Sequence, residues 1–210
     1  MVINTRALTA KDIYIKRSFD VSLSFIGLVL ILPVIVISWI MASIEFRSNG
    51  FFTQLRVGKN GHLFRIFKIK TMKKNKGIYN NITMTNDVRI TRIGAFFRRT
   101  KIDELPQLWN VFVGQMSLVG PRPDVPGYLD KLQGGDRVVL SVRPGITGPA
   151  QLAYRDEEKI LFNQVDAIKY NDKVIWPDKV RINRKYIENY TLFKDFYYIW
   201  KTIVGGDVKY

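Results

Sequence analysis

Residues 21–44 carry no charged side chain, an uninterrupted run of 24 residues. A stretch that long and apolar reads as a membrane helix. At ~1.5 Å per residue it would reach about 36 Å, enough for a hydrocarbon core of about 30 Å. A cleavable leader fits poorly, because Glu45, Phe46 and Arg47 follow the run in place of small residues. Pro33, near the middle, removes a backbone donor and predicts a kink or break. Basic residues lie on both sides: Arg6, Lys11, Lys16 and Arg17 before the run, Arg47, Arg56, Lys59, Arg65, Lys68 and Lys70 after it. Basic flanks mark the cytoplasmic side. A re-entrant hairpin places both flanks there; a single span that tolerates its proline is the other reading.

The chain of 210 residues has a net charge of +15, which predicts an anionic partner: nucleic acid, acidic lipid or a phosphorylated substrate. There is no cysteine and only one histidine, His62. Disulfides, thiolate metal sites and a multi-histidine zinc site are thereby excluded. Chemistry falls to carboxylates, lysines, arginines, hydroxyls and a hard cation such as Mg²⁺.

Beyond the apolar run, residues 51–56 and 62–70 flank Gly58-Lys59-Asn60-Gly61 and predict a β-hairpin, since Asn-Gly is a strong turn signal. Alternation puts Phe64, Ile66, Lys68 and Lys70 on one face of its second arm. Residues 73–86 read as a polar loop. Residues 87–99 predict a basic amphipathic helix with Ile90, Ile93, Phe96 and Phe97 in one stripe. Leu192, Phe193, Phe196, Ile199, Trp200, Ile203 and Val204 recur at helical spacing, interleaved with tyrosines and lysines suited to a headgroup region. The expected division is a basic segment 1–20, a membrane helix 21–44 and a catalytic domain 45–210. The expected fold class is α+β and mostly helical, with a proline-broken re-entrant helix, interfacial amphipathic helices and a small β-hairpin.

Lys101-Ile102-Asp103-Glu104-Leu105-Pro106 sets two adjacent carboxylates ahead of an apolar helical stretch, with Pro106 suited to a first turn. Thr100 could cap that helix, with Asp103 three residues on. An acidic helix start is commonplace; the surroundings add meaning. Arg98, Arg99 and Lys101 precede the pair, Gly120-Pro121-Arg122-Pro123 follows, and Arg143-Pro144-Gly145-Ile146-Thr147-Gly148 comes later. Arginine's planar fork suits phosphate. Carboxylates with several arginines and no useful histidine suit phosphoryl transfer, with a carboxylate as nucleophile.

The sequence resembles the monotopic phosphoglycosyl transferases, often called bacterial sugar transferases, over about residues 11–208. The likeness rests on Lys16-Arg17-Ser18-Phe19-Asp20, Pro33, Phe67-Lys68-Ile69-Lys70-Thr71-Met72, Ile102-Asp103-Glu104-Leu105-Pro106-Gln107-Leu108, Met116-Ser117-Leu118-Val119-Gly120-Pro121-Arg122-Pro123 and the Arg143 motif, all in family order. It implies that Asp103 attacks the β-phosphorus of a UDP-sugar, releasing UMP, and that polyprenyl phosphate then takes the phosphosugar. It implies Glu104 as the Mg²⁺ ligand, and Arg98, Arg122, Lys68, Lys70 and Arg143 as substrate-binding residues. It implies a re-entrant helix at the cytoplasmic face of the bacterial inner membrane, with membrane lipids as partners and no nucleic acid. A membrane-tethered nucleic-acid binder and an inert anchor of the same fold are the competing readings. Leu32 stands where many members have serine, and residues 149–158 depart from the family's Trp-Ala-Gln-Val-Asn-Gly-Arg.

Overall fold

The computed structural model describes residues 8–73 and 87–206. Its dominant element is helix α1, Ala10–Phe46, which is 37 residues long. Thr9 caps it through a reciprocal pair with Asp12: the Asp12 N–H donates to the Thr9 hydroxyl, and the Thr9 N–H donates to the Asp12 carboxylate at 3.0 Å. Arg47 ends it in a left-handed conformation (φ 47°). Helical structure continues through Pro33, so the predicted break is not found. A proline costs one backbone hydrogen bond, and tertiary packing on both sides of it offsets that loss. Asp20 and Ser24 are buried before Pro33, and Ile35, Ser38 and Ala42 after it. With Lys16, these residues form two buried runs at three- and four-residue spacing, one near each end of the helix, with no buried residue between Ser24 and Ile35. The opposite face is apolar and open, with Leu30 and Ile44 both 72% exposed. The Ser24 hydroxyl donates to the Val21 carbonyl (3.1 Å), not to the carbonyl that Pro33 leaves free.

The predicted hairpin is present. Strands β1, Phe51–Val57, and β2, Leu63–Ile69, pair antiparallel with Phe51 opposite Ile69 and Val57 opposite Leu63. Asn60 (φ 57°) and Gly61 (φ 82°) make the reversal, as a tight Asn-Gly turn requires. The expected loop at 73–86 lies outside the described residues except for Lys73, and so does Arg6.

Helix α2 spans Arg92–Thr100, five residues later than the start the sequence predicts. Asp87 draws the Arg89 side chain and backbone N–H into a local turn, and Met72 bridges to Ile90, so this stretch is spent before the helix begins. Thr91 then caps the helix through the Gly94 N–H. Helix α3 (Gln107–Phe112) packs along α1. Strands β3 (Ser117–Val119) and β4 (Gly145–Thr147) follow.

β3 and β4 are paired parallel, with Ser117 opposite Gly145 and Val119 opposite Thr147. This pairing unites two motifs far apart in the chain. Their glycines permit it: a Cβ on Gly120 would lie 2.5 Å from the Arg143 carbonyl oxygen. The remaining helices are α4 (Pro149–Ala153), α5 (Glu157–Phe162), α6 (Ala167–Tyr170), α7 (Trp176–Glu188) and α8 (Leu192–Val204). The last has the span its periodicity predicts. The main core joins α7, α8, β3 and the 3-10 turns of Gly134–Ser141 around Val119, Val139, Ile187 and Tyr198.

Both ends of α1 are fastened to this one body. At its N-terminal end the Lys16 ammonium pairs with Asp195 of α8 at 2.5 Å, Arg17 donates to the carbonyls of Val111 and Phe112, and Asp20 accepts from the Leu118 N–H. At its C-terminal end Ala42 packs with Ile69 and Phe97, and the Ser43 hydroxyl accepts from the Gly50 N–H.

Candidate active site

The Asp103–Glu104 pair sits in a single 3-10 turn, Ile102–Glu104, between α2 and α3. Lys101 (φ 59°) ends α2 in the left-handed region, and the turn closes through Glu104 N–H to Lys101 O (3.1 Å) and Leu105 N–H to Ile102 O (3.2 Å). Ile102 packs against the Ala42, Ile69 and Phe97 cluster, which anchors the turn to α1 and β2. The acids therefore precede α3 and do not lie within its first turn. Pro106 occupies the position just before that helix. Nor does Thr100 cap α3. It is the last residue of α2, and its hydroxyl donates back to the Phe96 carbonyl (2.8 Å).

The two carboxylates have opposite electrostatics. Asp103 is 7% exposed, and its Oδ1 is buried without a hydrogen-bond partner among the described residues. Burial, reinforced by the charge of Glu104, pushes its pKa up to about 6 against the pull of Lys68, Lys101 and Arg98. Burial would raise Glu104 as well, but Lys68, Arg122 and Lys101 outweigh it and hold that carboxyl down to about 2. Lys68 Nζ lies 2.7 Å from Glu104 Oε1, and Arg122 Nη2 is 3.9 Å from the same oxygen. Burial in turn lowers the pKa of Lys68. At neutral pH the site holds one permanently ionised acid beside a second that is ionised yet proton-ready.

The predicted site residues divide. Asp103, Glu104, Lys68 and Arg122 come together, Arg122 projecting half-exposed from the segment after β3. Arg98 is close enough to act on the Asp103 charge, while its guanidinium is bonded to Glu158 of α5 (2.8 Å). Lys70 lies elsewhere. β2 ends at Ile69, and the Lys70 ammonium donates to the Asn49 carbonyl and the Ser48 hydroxyl beside the end of α1. Arg143 also lies elsewhere, its Nε donating to the Gly114 carbonyl (2.7 Å).

Arg56, Gln107 and Gln151, not singled out from the sequence, line the pocket with Glu104 and Arg122. Among the described residues Arg56 Nε and Gln151 Oε1 are buried without partners, like Asp103 Oδ1. Arg56 reaches the Pro123 carbonyl (3.2 Å), a partner 67 residues away that no local pattern reveals. Gln151 arrives on α4, and Glu158 on α5, from the unusual 149–158 segment.

Glu104 and Asp103 are the residues here that could hold a hard cation. Glu104 stays ionised, Lys68 takes only one of its oxygens, and Asp103 Oδ1 is unpartnered. Among the described residues no cluster of three or more acidic, histidine or cysteine side chains forms a cage. Mg²⁺ is commonly held by one or two carboxylates together with substrate phosphates.

The bacterial sugar transferase family model matches residues 11–206, nearly the whole chain. The chain belongs to the bacterial sugar transferase family. Among relatives, a Bacillus subtilis protein provisionally named an undecaprenyl-phosphate N-acetylgalactosaminyl 1-phosphate transferase is 43% identical over 129 residues, 60% of this chain and 70% of its own. The exopolysaccharide production protein ExoY of Rhizobium meliloti is 33% identical over 206 residues, 90% of this chain and 83% of its own. The undecaprenyl-phosphate galactose phosphotransferase of Salmonella typhimurium is 32% identical over 207 residues, 90% of this chain but 40% of its own longer one. This bacterial sugar transferase is thus an enzyme of the transferase class.

Proposed function

We propose that this transferase moves a sugar 1-phosphate from a UDP-sugar to polyprenyl phosphate, undecaprenyl phosphate by analogy with its relatives' names, through a covalent ester on Asp103. The observation that carries the reading is the contrast within the pair: Asp103 is buried with a bare oxygen, beside a Glu104 that cations keep ionised. In the first step Asp103 Oδ1 bonds to the β-phosphorus of the donor. The bond from that phosphorus to the bridging oxygen breaks, and UMP leaves with the electron pair. In the second step an oxygen of polyprenyl phosphate bonds to the same phosphorus and returns the Asp103 carboxylate, leaving polyprenyl diphosphosugar.

Arg122 and Lys68 neutralise phosphate charge, and the unpartnered Arg56 Nε offers a further donor to the nucleotide phosphates. Glu104, with the donor's phosphates, would hold Mg²⁺, which when bound supplies further charge neutralisation. Lys68 keeps Glu104 aligned and ionised. Burial of Asp103 shields the ester from water.

The cytoplasmic face of a bacterial inner membrane is the proposed location, with α1 re-entrant in one leaflet. Its two ends touch one body, which supports placing both on one side. Its open apolar face adjoins that of α8 where Phe19 meets Phe196, their ring centroids 4.7 Å apart. Phe193, Trp200 and Ile203 extend the surface. The names of the relatives make UDP-galactose and UDP-N-acetylgalactosamine the first donors to try.

The decisive experiment is incubation of purified protein with donor alone. The intact mass should rise by one phosphosugar, mapped to Asp103, with UMP released in equal amount; Asp103→Asn should show neither. Full turnover by Asp103→Asn would overturn the mechanism.

A further inference from the structure

A second pocket of about 130 Å³ opens beside the first turns of α1. It shares no lining residue with the Asp103–Glu104 site. Arg17 and Arg143 stand in its wall, backed by the carbonyl end of α3. Arg17 donates to the Val111 and Phe112 carbonyls at 2.7 and 2.8 Å, and Arg143 Nε donates to the Gly114 carbonyl at 2.7 Å. Each guanidinium is fixed from behind by main chain, and the terminal nitrogens of Arg143 have no hydrogen-bond partner among the described residues.

No carboxylate among the described residues is ion-paired to the arginines of this wall. Among the described residues neither Arg17, Arg143 nor Lys59, the third cation of the pocket, forms an ion pair. Lys16 also lines it, but is consumed by Asp195. The one lining acid, Asp20, is 1% exposed and accepts from the Leu118 N–H. Burial and then the charge of Arg143 depress Arg17, with Asp20 only partly compensating. The free terminal nitrogens of Arg143, beside the charge of an Arg17 that its carbonyl partners hold in place, are arranged for a tetrahedral oxyanion.

We propose that Arg17, Arg143 and Lys59 form a second phosphate site, which holds the headgroup phosphate of an anionic membrane phospholipid. The pocket lies next to the exposed Tyr14 and Ile15 and one to two turns before the open apolar face begins at Leu23, the level at which a headgroup would sit. Leu8 and Ile13 supply apolar wall for the glycerol and upper acyl region. Asp103 and Glu104 do not line it, so a phosphate there is not presented to the nucleophile, and the inference does not depend on the chemistry proposed for Asp103.

The test needs no sugar donor. Detergent-purified wild type, Arg143→Gln and Lys59→Gln are titrated with phosphatidylglycerol and followed by native mass spectrometry. Thermal unfolding is measured in parallel with inorganic phosphate against chloride at equal ionic strength. We expect one saturable phosphatidylglycerol per wild-type chain, weakened about tenfold by Arg143→Gln, the loss of a charge-assisted fork. Lys59→Gln, whose side chain makes no hydrogen bond among the described residues, should weaken it about threefold. Equal lipid affinity in all three proteins, or no saturable binding of either probe, overturns the site. Stabilisation by inorganic phosphate that needs Arg143, without phosphatidylglycerol binding, overturns the lipid source and assigns the pocket to a soluble anion.

Discussion

Lys68 Nζ lies 2.7 Å from Glu104 Oε1, with 18% and 15% of the two side chains exposed, and Lys68 is the foremost of the charges that hold Glu104 ionised. It ties β2 to the turn that carries Asp103 and Glu104. Without the ammonium, Glu104 loses the nearest of the cations that hold it ionised.

Lys68→Met is therefore expected to cut turnover about 100-fold, the scale for removing one preorganised charge partner. Lys68→Arg should restore part of it. UMP release under saturating donor checks this, and turnover of the methionine variant within about threefold of wild type would remove Lys68 from the catalytic arrangement.

The absence of cysteine from the chain allows clean single-site labelling. Lys11→Cys and Ser48→Cys, placed at the two ends of α1, should both react with a membrane-impermeant maleimide only when the cytoplasmic face is accessible, as in inside-out vesicles. Opposite sidedness would mean that α1 spans the bilayer.

The Lys16–Asp195 pair is almost fully buried, and the Tyr186 and Tyr190 hydroxyls also donate to Asp195. Removing one charge strands the other, so Lys16→Met or Asp195→Asn alone should destabilise by about 3–5 kcal/mol. The double variant should recover much of that loss. Denaturant unfolding in detergent measures the cycle, and additive losses would mean that the pair is not coupled.

Asp124, behind Arg122, has its pKa pushed up to about 6 by burial and the nearby Glu157, against Arg122, Lys179 and Arg56. The folded state thus binds its proton more tightly than the unfolded chain. That stabilisation is fully present below about pH 4 and fades as pH rises through about 6. The melting temperature of wild type minus that of Asp124→Asn should fall across this interval and level off above about pH 7. A flat difference would show that Asp124 titrates normally.

What the sequence discloses here follows the range of the forces involved. The β1–β2 hairpin and α8 rest on local patterns, an Asn-Gly turn and a 3.6-residue period, and both are found. The Asp103–Glu104 pair is legible because its motif is contiguous. Lys68 and Lys70 share strand parity, yet only Lys68 reaches the acids. The alternation assumes a strand that continues, whereas β2 stops at Ile69 and the chain turns toward Ser48 and Asn49. The late start of α2 has a similar origin: side-chain capture of Arg89 by Asp87 competes with helix nucleation. Arg56 acquires meaning only through a partner far along the chain, Pro123, whereas Gln151 donates to Ile146 of β4 five residues earlier and joins the site because the β3–β4 pairing brings that strand there. Pro33 promised a break, but helical structure runs through it, held by the buried runs on either side.

Those runs would also govern how reactants meet. In the proposed placement, a body riveted at both ends of a lipid-embedded helix would not swing toward the solvent, so Asp103 would ride at constant depth. The search for the proposed acceptor would then become two-dimensional, its pace set by how densely the carrier populates the leaflet, whatever the total amount of carrier in the suspension.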